Sequence, residues 1–122
     1  MQKEFQVIEH KGKKILLFDF SHCQCKEEIE PIIHGAKQWI QGKEPTSVLT
    51  LTDVTDANYD TESLNLLKDL TIHNKPYVKA GAIIGITRPL LRLAYNIVMA
   101  FSERNLPIFE TREEAMEWLV SQ

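Results

Sequence analysis

The run VKAGAIIGI, residues 78–86, decides how this chain folds. It is almost unbroken in apolar character, with no alternation that would leave one face for water. Such a run, of strand length and followed by Thr87-Arg88-Pro89, reads as a strand buried on both faces. Covering both faces takes helices on each side of a mostly parallel sheet.

The flanks agree. Upstream, Leu64, Leu66, Leu67 and Leu70 recur at helical spacing and stop before Asn74-Lys75-Pro76. SVLTLT, residues 47–52, is the preceding strand. Before it, Ile29, Ile32, Ile33, Ala36, Trp39 and Ile40 form a helical stripe within residues 26–41, ended by Gly42 and Pro45. Pro31 is tolerated only in a first or second turn, so the regular helix is expected from near Glu30. ILLFDF, residues 15–20, and the short segment holding Phe5, Val7 and Ile8 read as a hairpin closed around Lys11-Gly12. Downstream, Thr87 and Pro89 mark a helix start, with the helix running over 88–104. PIFE, residues 107–110, is a short strand, and Thr111 with Glu114 three positions later is a capping box opening a last helix.

The order β-β-α-β-α-β-α-β-α predicts one α/β domain over residues 1–122. It has a five-stranded, mostly parallel sheet, residues 5–10 antiparallel at an edge, and four helices.

Bulk properties narrow the function. The 122 residues, 43% apolar and 25% charged, have an ordinary globular composition. A formal charge of −3 without a basic face argues against nucleic acid. No apolar run reaches the ~20 residues of a membrane span. The N-terminal stretch MQKEFQVIEHKGKK has charges where an export signal has its apolar core, so a cytoplasmic location is expected. Cys23 and Cys25 are too close together for a disulfide framework.

Two segments hold candidate chemistry. The first follows strand 47–52, where Asp53, Asp56 and Asp60 stand among Thr55, Asn58, Thr61, Glu62 and Ser63. With Asp19 at the end of the preceding strand and Thr87 after the next, Asp53 superficially fits a phosphoacceptor site with magnesium. The opening hairpin, and Glu110 where such a site needs a lysine, count against that reading. Turn and helix-cap duty explains the same residues. His22-Cys23-Gln24-Cys25 supplies at most three ligands and lacks the second cluster of a structural zinc site, so no metal or cofactor is assigned. A thiol there, near a helix N-terminus, is open to a lowered pKa. Gly81 and Gly85 lie in the strand 78–86 and are read as close helix-to-sheet packing, not a phosphate loop.

The second segment is 88–104, RPLLRLAYNIVMAFSER, whose apolar residues cover more than one face. At about 100° per residue, Leu90, Leu91, Ala94, Ile97, Val98 and Phe101 form an inward stripe of roughly 120°, and Leu93 and Met99 extend beyond it. Leu93 and Met99 are thus expected to meet a second copy or an apolar ligand. Arg88 and Arg92, one turn apart, would hold an anionic headgroup.

KKILLFDFS (13–21), SVLTLTDV (47–54), KAGAIIGIT (79–87) and FETREEAMEWLVSQ (109–122) together resemble the STAS superfamily, and within it the SpoIIAA-like group. The resemblance covers nearly the whole chain and implies a non-enzymatic regulatory or sensing module. Anti-sigma-factor antagonists carry an Asp-Ser-Ser-Gly motif after the third strand, one serine of which a kinase phosphorylates. Asp60-Thr61-Glu62-Ser63 stands at about that place, with Thr61 at the first serine and Glu62 at the phosphorylated one, in a longer loop without the glycine. The resemblance implies an unidentified protein partner at Asp53, Asp56, Asp60, Thr61, Glu62 and Ser63. Some relatives are likened to lipid-binding carriers, which makes an apolar ligand beneath helix 88–104 the alternative.

Overall fold

The computed structural model describes residues 5–122; the first four residues of the charged N-terminal stretch lie outside the described residues. Strands β1 (Gln6–His10) and β2 (Lys13–Asp19) form the expected hairpin. Lys11 and Gly12 both take positive φ, 50° and 80°, which a two-residue turn needs to follow the twist of its strands. The remaining elements are α1 (Lys26–Ile40), β3 (Val48–Asp53), α2 (Thr61–Asn74), β4 (Val78–Ile84), α3 (Pro89–Ser102), β5 (Ile108–Phe109) and α4 (Arg112–Val120). The sheet order is β1-β2-β3-β4-β5. Only β1 pairs antiparallel, and β3 and β4 lie inside the sheet. The α/β architecture read from the sequence is the one observed.

Because each parallel crossover steps the same way across the sheet, right-handed connections put α1, α2 and α3 on one face. Leu16, Phe18 and Phe20 face them, packed with Ile32, Leu70 and Val98. The alternate residues Ile15, Leu17, Leu49, Leu51 and Ile84 face the other way and are covered by Ala115 and Leu119 of α4. The strand order never reverses, so the sheet has no switch-point crevice at its carboxyl edge. Interior space lies instead between the sheet and the α2–α3 layer.

Three local expectations are corrected. Helix α1 begins at Lys26, a turn before Glu30, and carries Pro31 in its second turn. Proline's missing N–H removes only one bond near the exposed first turn, where water reaches the freed carbonyl. Gly85 is not inside a strand: it lies beyond β4 in the strand-to-helix turn, at φ 93°. Its place there is set by a loop and not by a helix, since a Cβ would come within 2.4 Å of the Thr55 backbone nitrogen. Gly81 likewise makes room for Thr50 of the next strand and for Leu106.

Candidate functional site

The loops after β2 and β3 are built alike. Asp19 and Asp53 are register partners at the strand ends. Asp19 Oδ1 accepts the Ser21 amide at 3.1 Å and its hydroxyl at 2.5 Å. Asp53 Oδ1 accepts the Thr55 amide at 2.9 Å and its hydroxyl at 2.6 Å. Each carboxylate thereby satisfies a backbone donor that the ended strand no longer pairs. The other Asp53 oxygen lies 3.7 Å from the Arg112 guanidinium. His22 and Asp56 follow these turns in the left-handed region, at φ 61° and 54°, and face each other at 3.6 Å.

The remaining loop residues start α2. Asp60 is its N-cap, with Oδ1 accepting the Ser63 amide at 2.8 Å. That bond holds the Asp60 carboxyl below its ordinary range, and the charge of Lys26 acts in the same direction. Thr61 and Glu62 are exposed on the first turn, and Glu62 pairs with Lys26 at 2.9 Å. Ser63 points inward, only 1% exposed, and its hydroxyl has no partner among the described residues. Of the six loop residues expected to face a partner, Ser63 therefore does not reach the surface.

The loop is braced rather than free. Gln24 donates to the carbonyl of Asp56 at 3.1 Å, and its own side-chain oxygen accepts from Asn58. Arg88 donates to the Ala57 carbonyl at 2.7 Å. That contact gives Arg88 a bracing role, while Arg92 lies over the Tyr95 ring at 5.7 Å on the same helix.

Helix α3 departs most from expectation. Its buried residues are Leu91, Val98, Met99 and Ser102. Met99 is 8% exposed, in contact with the core, and its sulfur accepts the Leu106 amide at 3.3 Å. It does not extend an outer face, as the wheel had placed it. The outer apolar row is Leu90, Leu93, Ile97 and Phe101, 77%, 55%, 37% and 57% exposed. Leu90, Ile97 and Phe101 were read as inward, and the buried sector is rotated away from them toward Met99. Between this row and the loop runs a groove walled by Leu90, Leu93 and Ile97 on one side and by Asn58, Tyr59, Asp60 and Leu64 on the other. Lys68 of α2 stacks on Phe101 at 4.9 Å.

Beneath α2 and α3 is a partly open cavity of about 80 Å³, lined by Phe18, Phe20, Leu70, Ile83, Val98 and Met99 among others. Tyr59, Leu91 and Ala94 line both the cavity and the outer groove. Space beneath helix 88–104 was expected from the sequence, but Tyr59 was not singled out as part of it. A tyrosine one residue before a helix cap gives no signal of which side it faces.

Among the described residues no group of three or more His, Cys, Asp or Glu side chains is placed to hold a metal. Cys23 is buried, and Cys25, at the α1 N-cap position, has its thiol pKa raised by Glu27. The direction is the opposite of the lowering open to a thiol near a helix N-terminus.

No family model and no curated protein matches the chain. Solved structures share its fold. One is an uncharacterized protein of the DUF3478 family with a SpoIIAA-like fold from Shewanella loihica PV-4, 19% identical, with a TM-score of 0.74 over 94% of this chain and 91% of that one. Another is an anti-sigma-factor antagonist (STAS) domain protein from Planctomyces limnophilus, 15% identical, with a TM-score of 0.65 over 97% of this chain and 99% of that one. The chain has the STAS, SpoIIAA-like fold. No described helix is long and apolar enough to cross a membrane.

Proposed function

We propose that the chain is a non-enzymatic regulatory domain that docks a protein partner in the groove between the loop 54–60 and helix α3. The observation that carries this is the row Leu90, Leu93, Ile97 and Phe101. Four large apolar side chains spaced three and four apart stay in water, where an isolated domain gains nothing from them. The row continues across the groove to Leu64, and Asp56, Asp60, Thr61 and Glu62 supply a polar rim beside it. An apolar centre with a polar rim is the ordinary make-up of a protein interface.

Regulation through protein contact is also what the likeness to the Planctomyces structure, an anti-sigma-factor antagonist domain protein, supports at the level of fold. A non-enzymatic role is supported by how the polar groups at the strand ends are used. The hydroxyls of Ser21 and Thr55 donate to Asp19 and Asp53, and His22 faces Asp56. These groups hold turns in place, each carboxylate taking a backbone amide and a hydroxyl of its own loop. The phosphoacceptor alternative finds Asp53 already bound to Thr55 and beside Arg112.

The test compares affinity capture from the source cell by wild type, by Leu90→Glu/Leu93→Glu and by Lys14→Glu on the opposite end of the fold. The reading expects a protein retained by wild type and Lys14→Glu, lost with the double variant, and rebinding when purified. Equal recovery by all three contradicts it.

A further inference from the structure

The outer groove between the loop 54–60 and α3 has an unmatched charge at each end. Asp60 lines the loop end, and no cation of the described residues lies within ion-pair distance of its carboxylate. The charges around it are engaged: Glu62 pairs with Lys26, Asp56 faces His22, and Arg88 donates to the Ala57 carbonyl. At the other end Lys68 lies over the Phe101 ring. No described carboxylate pairs with it, and the adjacent Asp69 is taken by Lys37. From Asp60 to Lys68 is about 12 Å along α2, at 1.5 Å per residue. Over the same stretch the exposed row from Leu90 to Phe101 runs about 16 Å, or three helical turns.

The shape of the groove selects a helix. Its walls are α3 on one side and Leu64 of α2 with the loop on the other. Helix walls have no spare backbone groups for an extended strand to pair with, whereas a helix satisfies its own and packs its ridge between two others. Because β3, β4 and β5 are parallel, α2 and α3 run the same way, with both N-termini at the loop end. A third helix lying antiparallel to them opposes its dipole to theirs. Its N-terminal half then lies at Lys68 and its C-terminal half at Asp60. An acidic residue at the first position and a basic one at the second suit that helix's own dipole as well as the groove. Resting on the docking reading, we infer that the groove takes an amphipathic partner helix of about three turns, antiparallel to α2 and α3. It carries an acidic residue against Lys68 and, about seven positions later on the same face, a basic residue against Asp60. The α3 of a second copy does not fit, since it has no acidic residue and would bring Arg92 to Lys68.

The probes are two fluorescently labelled helical peptides of about 14 residues, titrated into the purified chain and followed by anisotropy. Both have leucine at positions 4, 7, 8 and 11, one face of a helix. The first has glutamate at position 3 and arginine at position 10, on one flank of that face, and the second exchanges the two. The first should bind about threefold more tightly or better at low salt, with the advantage shrinking in about 0.5 M salt. Asp60→Asn/Lys68→Glu keeps a capping side chain and should reverse the order of the two peptides. Leu90→Glu/Leu93→Glu should abolish binding of both while circular dichroism stays that of wild type. Equal affinities for wild type, the opposite order, or an order unchanged in Asp60→Asn/Lys68→Glu overturns the inference. Failure of both peptides to bind also overturns it, and the docking reading then stands or falls on partner capture alone. Undiminished binding of both peptides by Leu90→Glu/Leu93→Glu would remove the groove as the site and overturn both readings.

Discussion

Asp60 and Ser63 show how much one hydrogen bond decides at the start of α2. The Asp60 carboxylate caps the helix through the Ser63 amide, and the same turn drives the Ser63 hydroxyl into the interior without a partner. Removing an unpaired buried hydroxyl relieves a desolvation penalty, so Ser63→Ala should be neutral or stabilise by up to about 1 kcal/mol in urea unfolding. Asp60→Ala should lower the melting temperature, because the Ser63 amide then has no acceptor. The residue types in this loop were plain in the sequence, but their roles were not. Asp, Thr and Ser in this density serve turns, caps, metals and phosphoacceptors alike. The choice among them depends on which oxygen is already occupied, as at Asp53, where Thr55 takes both hydrogen bonds of one oxygen.

Helix α3 poses the corresponding problem for an element. Its existence and both ends followed from Pro89 and from the apolar run, within a residue or two of Pro89–Ser102. Its rotation did not. When apolar residues cover most of a helix, periodicity has no minimum to mark the solvent side, and the neighbours settle the angle. Here Leu106 and the α2 side draw Met99 inward and leave Leu93 out. The two therefore separate under mutation. Leu93→Glu should unfold in urea within about 0.5 kcal/mol of wild type, as exposed substitutions do. Met99→Ala should lose about 2 kcal/mol or more, toward the low end for core truncations because the cavity beside it already limits its packing. Equal losses would place both residues in the core.

At the scale of the whole molecule, the order of elements carried the fold. Strict alternation after an opening hairpin leaves few topologies, and sequential right-handed crossovers give the observed sheet. What pattern alone left undetermined was the contact that ties the two ends together. Glu117 of α4 reaches the hairpin, with carboxylate oxygens 3.0 Å from the His10 ring and 2.7 Å from the Lys11 ammonium. Residues 107 and 106 positions apart have no local pattern linking them. Lys11 first, then His10, hold the Glu117 carboxyl below its ordinary value of 4.5, and the Asp60 carboxyl sits below 3.8. A depressed native pKa gives stability that is present above the unfolded value and lost as pH falls through the native one. Stability should therefore decline as pH drops below about 4.5, and Asp60→Asn/Glu117→Gln should flatten that decline.

The central claim is that the outer row of α3 is a protein-docking surface. Its most direct measurement is in-cell photo-crosslinking with benzoylphenylalanine placed at position 93, with position 14 as the control. The account predicts a discrete heteromeric adduct from position 93, absent from position 14 and abolished by Leu90→Glu. An adduct at twice the mass of the chain, or the same products from both positions, would contradict it.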